Sequence, residues 1–202
     1  MSAAREVVVC RTGTANLASV FAGLRRVGGT PRMAETVADI ENAEHVMLPG
    51  VGSFGHAMET LRETGMVAPL VARFAAGRPT MAICVGLQLL CASSEESPDI
   101  EGLGVIEADI FRFPQSVRVP QFGWNHVVAN TDCTLIASGH AYFANSYRLA
   151  ERPSGWAVAI AEHGGTFVAA MERGALLACQ FHPELSGAYG HALLSRWIAT
   201  SC

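Results

Sequence analysis

Apolar positions along the first half of the chain follow two alternating rhythms. Short β-branched runs alternate with segments whose apolar residues recur every three or four positions. Residues 6–10 (EVVVC) read as a buried strand. Leu17, Val20, Phe21, Leu24 and Val27 then fall at i, i+3, i+4, i+7 and i+10, one face of a helix, and Gly28 and Gly29 supply a helix stop. Residues 45–48 predict a second core strand, ending abruptly at Pro49-Gly50. Helices are predicted over residues 54–64 and 66–76, the second carrying Val67, Leu70, Val71 and Phe74 on one face. Residues 80–84 predict a third strand, followed at once by a helical stretch over 85–91. Strands and helices alternating in this way imply parallel strands joined by right-handed crossovers.

The second half changes character. Strands at closer spacing are predicted at residues 103–106, 109–112, 126–128, 141–147, 156–162, 167–171 and 176–181, and a last helix carries Tyr189, Leu193 and Trp197 on one face. No internal repeat and no linker-like stretch interrupts the pattern. The expected architecture is a single α/β domain over residues 1–202. It has a mostly parallel central sheet, helices on both faces, and an antiparallel extension in the C-terminal half.

Composition narrows the class. The chain has 202 residues, of which 50% are apolar and 16% charged, enough apolar material for one large core. The net charge of −4 argues against a nucleic-acid or anionic-membrane surface. The longest stretch without a charged residue, 79–94, contains Pro, Gly, Gln and Ser, and falls short of the about 20 mostly apolar residues of a membrane-spanning helix. No basic segment followed by an apolar one opens the chain, so a cytoplasmic protein is expected. The six cysteines (Cys10, Cys84, Cys91, Cys133, Cys179 and Cys202) form no CxxC pair and no zinc-like spacing with histidine. Most read as small buried hydrophobes.

Cys84 differs from the rest because a predicted strand ends on it and a helix begins immediately after. That is the layout of a nucleophile elbow, which presents a side chain at a sharp turn and needs small neighbours, here Ala82 and Gly86. At a helix start a cysteine sits where backbone N–H groups favour a reactive thiol, and the N–H of Val85 would face an oxyanion. By itself the segment reads somewhat better as a buried core cysteine. His182-Pro183-Glu184 supplies a second piece: on an extended segment residues i and i+2 project to one side, and the proline blocks helix. His182 and Glu184 then form the base and orienting half of a Cys–His–Glu triad, the alternative being a surface histidine near a solvated carboxylate. A third piece, PGVGSFG at residues 49–55, follows a core strand and lets backbone N–H groups approach a ligand. A phosphate loop is excluded because His56 and Ala57 stand where its lysine would follow.

Together these segments resemble the class I (triad) glutamine amidotransferases, and within them the glutaminase subunits of imidazole glycerol phosphate synthases. The resemblance spans essentially the whole chain: TGTANLASV (12–20), LPGVGSFGHAM (48–58), AICVGLQLL (82–90), SSEESP (93–98), VPQFGWN (119–125), YFANSY (142–147) and QFHPELSG (180–187). It implies that Cys84 is the nucleophile, His182 the general base and acid, and Glu184 its orienting group. It implies further that Gly50, Val51, Gly52 and the Val85 N–H form or gate an oxyanion hole, and that Gln88, Glu96, Asn145, Ser146 and Tyr147 hold glutamine. Glu96 suits the substrate's α-ammonium group. No metal or organic cofactor is implied. The implied partner is a separate cyclase subunit that receives the ammonia in a heterodimer and makes imidazole glycerol phosphate and AICAR in histidine biosynthesis.

Some positions depart from the family's commoner pattern: Ala82 for glycine, Asn145 and Gln121 for histidine, Arg11 for an acidic residue, and Leu185 for a basic one. The last bears on docking. The apolar segment 119–124, with Phe122 and Trp124, is the candidate docking surface, set against ordinary core packing of the same two rings. Three other functions fit parts of the pattern: a glutaminase serving another biosynthetic enzyme, a catalytically silent regulatory binding module, and a cysteine peptidase. The substrate positions suit a free amino acid better than a peptide.

Overall fold

The computed structural model describes residues 5–13 and 16–201; Thr14 and Ala15 of the TGTANLASV segment, and Cys202, lie outside the described residues. The first half runs β1 (Arg5–Val9), α1 (Leu17–Arg26), β2 (Gly29–Met33), α2 (Val37–Asn42), β3 (His45–Leu48), α3 (Phe54–Glu63), α4 (Val67–Ala75), β4 (Thr80–Ile83) and α5 (Val85–Leu89). The second half runs β5 (Cys91–Ser94), β6 (Ile106–Arg112), β7 (Gln121–Ala129), β8 (Gly139–Asn145), β9 (Tyr147–Leu149), β10 (Ala157–Glu162), β11 (Thr166–Arg173) and β12 (Leu176–Cys179). A 3-10 turn (Pro183–Leu185) and α6 (Gly187–Ile198) close it.

Nine strands form one sheet in the order β2-β1-β3-β4-β12-β11-β10-β7-β8. Pairing is parallel from β2 to β12 and antiparallel from β12 to β8, the α/β core with an antiparallel extension that the sequence pattern predicts. Every residue of β3, β4 and β12 is buried, so helices and loops cover both faces of the sheet's centre. Among the described residues no helix is long and apolar enough to cross a membrane.

Several elements differ from the expectations. β2 (GTPRM) and α2 (VADIEN) carry no readable period: β2 is an edge strand containing Pro31, and α2 is set by a capping box between Thr36 and Asp39 rather than by an apolar face. The helix after Cys84 ends at Leu89, and Cys91 opens β5, which joins β6 and β9 in a separate three-stranded sheet. A mostly apolar run over 85–91, broken only by Gln88, does not reveal where helix yields to strand. Of the strand expected at 103–106 only Ile106 is in a ladder; the Leu103 N–H instead bonds the Leu89 carbonyl. β7 is much longer than the expected 126–128. Its alternation is inverted, with Phe122, Trp124, His126 and Val128 exposed while Gln121 is buried, so the usual apolar-in signature is missing.

Candidate active site

β3, β4 and β12 are adjacent and parallel, with Leu48 opposite Ala82 and Cys179 opposite Ile83. Their carboxyl ends therefore deliver the Pro49–Gly50 loop, Cys84 and the 180–184 segment side by side, at the edge where α/β sheets bind ligands. Cys84 has φ 53° and ψ −109°, and among the described residues it is the one non-glycine residue with positive φ. The strain is held by fixed neighbours: the Cys84 N–H bonds the Cys179 carbonyl at 2.7 Å, and a Cβ on Gly86 would collide with the Leu48 carbonyl oxygen. Only glycine at 86 lets α5 start this close to β3.

His182 and Glu184 are both buried, their side chains 5% and 4% exposed, with His182 Nδ1 2.9 Å from Glu184 Oε1. The pair is not made on one extended strand, as the spacing suggested. His182 is extended, but Glu184 lies within the 3-10 turn, which swings its carboxylate back onto the ring. The turn is locked to β8: the His182 N–H bonds the Tyr142 carbonyl at 2.9 Å, and Ser186 Oγ accepts the Tyr142 N–H and donates to the His182 carbonyl. Burial is the largest influence on the imidazole and lowers its pKa. Hydrogen bonds and charge from Cys84 and Glu184 outweigh it, and the pKa rises to about 10.

A cavity of about 210 Å³ opens on this pair. It is lined by Val51, Gly52, Cys84, Val85, Gln88, Glu96, Ala144, Asn145, Ser146, Tyr147 and His182, so one chamber gathers residues from every segment singled out for substrate contact. Gly50 and Glu184 stand just behind that lining, Glu184 against His182 and Gly50 beneath Val85. Asn145 donates its Nδ2 to the Tyr147 carbonyl at 2.9 Å and leaves Oδ1 buried without a partner. Glu96 accepts the N–H of Phe54, the first residue of α3, at 2.7 Å, and so ties the end of the glycine-rich loop to the cavity wall.

The Val85 N–H does not face open space. It donates to the Gly50 carbonyl oxygen at 3.3 Å, so that oxygen sits where an oxyanion would be received. Phe122 and Trp124 lie outside the chamber, 68% and 59% exposed on β7, which sets aside the core-packing alternative for both rings. Gln180 escaped the sequence reading. It is fully buried and its Nε2 lies 3.5 Å from Cys84 Sγ. Its only signal is a place two residues before His182, where a glutamine at a strand end looks ordinary. The described cysteines other than Cys84 are free thiols whose burial raises their pKa, to about 12 for Cys10 and Cys91 and about 11 for Cys133. Among the described residues no group of His, Cys, Asp or Glu could hold a metal ion. A larger groove of about 540 Å³ between α2 and α4, lined by residues such as Ala68, Pro69 and Arg78, brings no thiol or imidazole to its walls.

Fold and site together define a class: α/β proteins that hold a thiol, an imidazole and a carboxylate as a triad at the carboxyl edge of a parallel sheet. The family model for class-I glutamine amidotransferases matches residues 18–199. The imidazole glycerol phosphate synthase subunit HisH of Symbiobacterium thermophilum is 37% identical over 201 residues, covering 98% of this chain and 95% of that protein. The chain belongs to the class-I glutamine amidotransferases, and within them to the HisH subunits of imidazole glycerol phosphate synthase. The chloroplastic imidazole glycerol phosphate synthase hisHF of Arabidopsis thaliana is 38% identical over 193 residues, which is 92% of this chain and 33% of that longer protein. A solved glutamine amidotransferase structure shares the fold, with a TM-score of 0.75 at 21% identity over 95% of this chain and 96% of that one.

Proposed function

We propose that this chain hydrolyses glutamine to glutamate and ammonia through Cys84, His182 and Glu184, and delivers the ammonia to a separate cyclase subunit. The observation that carries the reading is the single cavity in which Cys84, the His182–Glu184 pair, the Glu96 carboxylate and the open Asn145 acceptor converge. Cys84 Sγ, as thiolate, attacks the side-chain amide carbon. The imidazolium of His182 protonates the departing nitrogen, and ammonia leaves a glutamyl thioester. Neutral His182 then takes a proton from water, the resulting hydroxide attacks the thioester, and the thiolate is regenerated with glutamate. Glu184 holds the ring orientation throughout and stabilises the imidazole whenever it carries the proton. Glu96 pairs with the substrate's α-ammonium group, while Gln88, Asn145, Ser146 and Tyr147 receive its remaining polar groups.

The oxyanion site is gated. With the Gly50 carbonyl on the Val85 N–H, the developing negative charge would meet an oxygen instead of a donor. The loop of Gly50, Val51 and Gly52 must reorient before fast turnover, and docking of the cyclase subunit is the event that drives it. Phe122 and Trp124 provide the apolar docking patch of the heterodimer, and Leu185 is exposed as well. Relatives in which the matching region is part of one longer synthase polypeptide support this pairing with the rest of the synthase. The test is the glutaminase rate of the purified chain alone, with a histidine-pathway cyclase subunit, and with that subunit and its own ligand. A rise of about tenfold or more on completing the mixture is expected. Full speed without the partner would refute the gate, and no ammonia under any condition would refute the activity.

A further inference from the structure

Gln180 is the first residue beyond β12, and its backbone is fixed in the sheet by an N–H bond to the Ala169 carbonyl at 2.8 Å. Its carboxamide is fully buried and bonded at both ends. Oε1 accepts from Gln88 Nε2 at 3.0 Å, and Nε2 donates to Cys84 Sγ at 3.5 Å. The second hydrogen of Gln88 Nε2 goes to the Tyr147 carbonyl at 3.2 Å. This fixes the direction of the chain. Turning the Gln180 amide over would set two NH2 groups against each other and a carbonyl oxygen against the sulfur. With both hydrogens of Gln88 occupied inside the wall, its Oε1 is the atom left for the cavity.

We propose that Gln180 is a positioning residue of the reaction, which holds the Cys84 sulfur with one N–H and sets Gln88 as a pure acceptor toward substrate. The proposal rests on the reading of Cys84 as nucleophile. A buried amide is costly unless bonded at both ends, and an apolar side chain would fill this place between strands more cheaply. What the amide supplies is a fixed donor to a sulfur that must carry negative charge before attack and again when the thioester breaks. Its other end supplies a fixed orientation for a substrate contact at the fourth residue of α5. Nucleophile and substrate pocket are thus coupled through one side chain.

The test uses the full chain with Gln180→Met, which removes both contacts, and Gln180→Glu, which keeps an acceptor for Gln88 and removes the donor to sulfur. Each variant is checked for folding by thermal melting. Alkylation of the Cys84 peptide by iodoacetamide is followed against pH, and KM for glutamine is measured with the cyclase subunit present. Gln180→Met should be alkylated about tenfold more slowly near neutral pH, with its rate profile displaced to higher pH and KM raised. Gln180→Glu should be slowed at least as much, since its carboxylate also repels the thiolate, with KM close to wild type. Alkylation of a folded variant at the wild-type rate and pH profile would overturn the proposal, and if the methionine variant does not fold the glutamate variant decides. Cys84→Ala, assayed in parallel, keeps the two readings apart. Ammonia release by that variant would remove the nucleophile assignment, whereas a silent Cys84→Ala beside a wild-type-like Gln180→Met would overturn the role of Gln180 alone.

Discussion

At Cys84 the backbone is held at φ 53°, a conformation that costs a non-glycine residue about 1–3 kcal/mol and persists only where the surroundings over-determine it. Those surroundings also set the charge of His182. Burial alone would lower the imidazole pKa, but the bonds and charges of Cys84 and Glu184 raise it from 6.5 to about 10. A histidine raised in the folded state contributes stability that is complete below its unfolded value and is lost as pH climbs through the folded one. The stability advantage of wild type over His182→Gln should therefore be largest below pH 6.5 and fade as pH approaches about 10. Denaturant unfolding of both proteins across that window checks it, and a constant difference would contradict the assigned charge. Much of this scale was legible in residue types: cysteine at a strand end and His-Pro-Glu at another allow few chemistries. The Gly50–Val85 bond was not, because a backbone N–H leaves no mark in sequence until the loop's conformation is known.

Among the elements, α6 acts on the site although none of its side chains lines the cavity. Gly190, on its buried side, packs against the backbone of Pro183, and a Cβ there would collide with the Pro183 carbonyl oxygen. Gly190→Ala should push the helix and the 3-10 turn apart, costing about 1–3 kcal/mol of stability. It should also lower kcat by roughly a hundredfold through displacement of Glu184 from His182. Wild-type kcat in a folded Gly190→Ala protein would show that the turn's position is not critical. Elements with strong apolar periods, such as β1, α1, β3, α4 and β4, were readable because burial wrote the pattern. β2 and α2 were not, since an edge strand and a short capped helix that buries one residue leave no apolar period to read. β7 misled for the opposite reason: its exposed face carries the rings.

Over the whole molecule, the proposed docking role of those rings ties architecture to function. The same sheet that places Cys84 and His182 at its centre ends in β7 and β8, and Phe122 and Trp124 stand out from that end, each edge-on to Tyr142. Trp124 leans beside Gly187, which links the patch to the turn that carries Glu184. Because Phe122 is already 68% exposed, Phe122→Ser should change the stability of the free chain by about 1 kcal/mol or less. The same change should weaken binding to the cyclase subunit about tenfold or more, measurable by calorimetry. Equal losses in both would mean that the ring serves the fold. The most direct test of the account as a whole is to quench turnover of glutamine by the chain and its cyclase partner and map the covalent intermediate by peptide mass. A glutamyl group on the Cys84 peptide, absent together with ammonia in Cys84→Ala, is the predicted result. A glutamyl adduct on another residue, or ammonia from the Cys84→Ala protein, would contradict it.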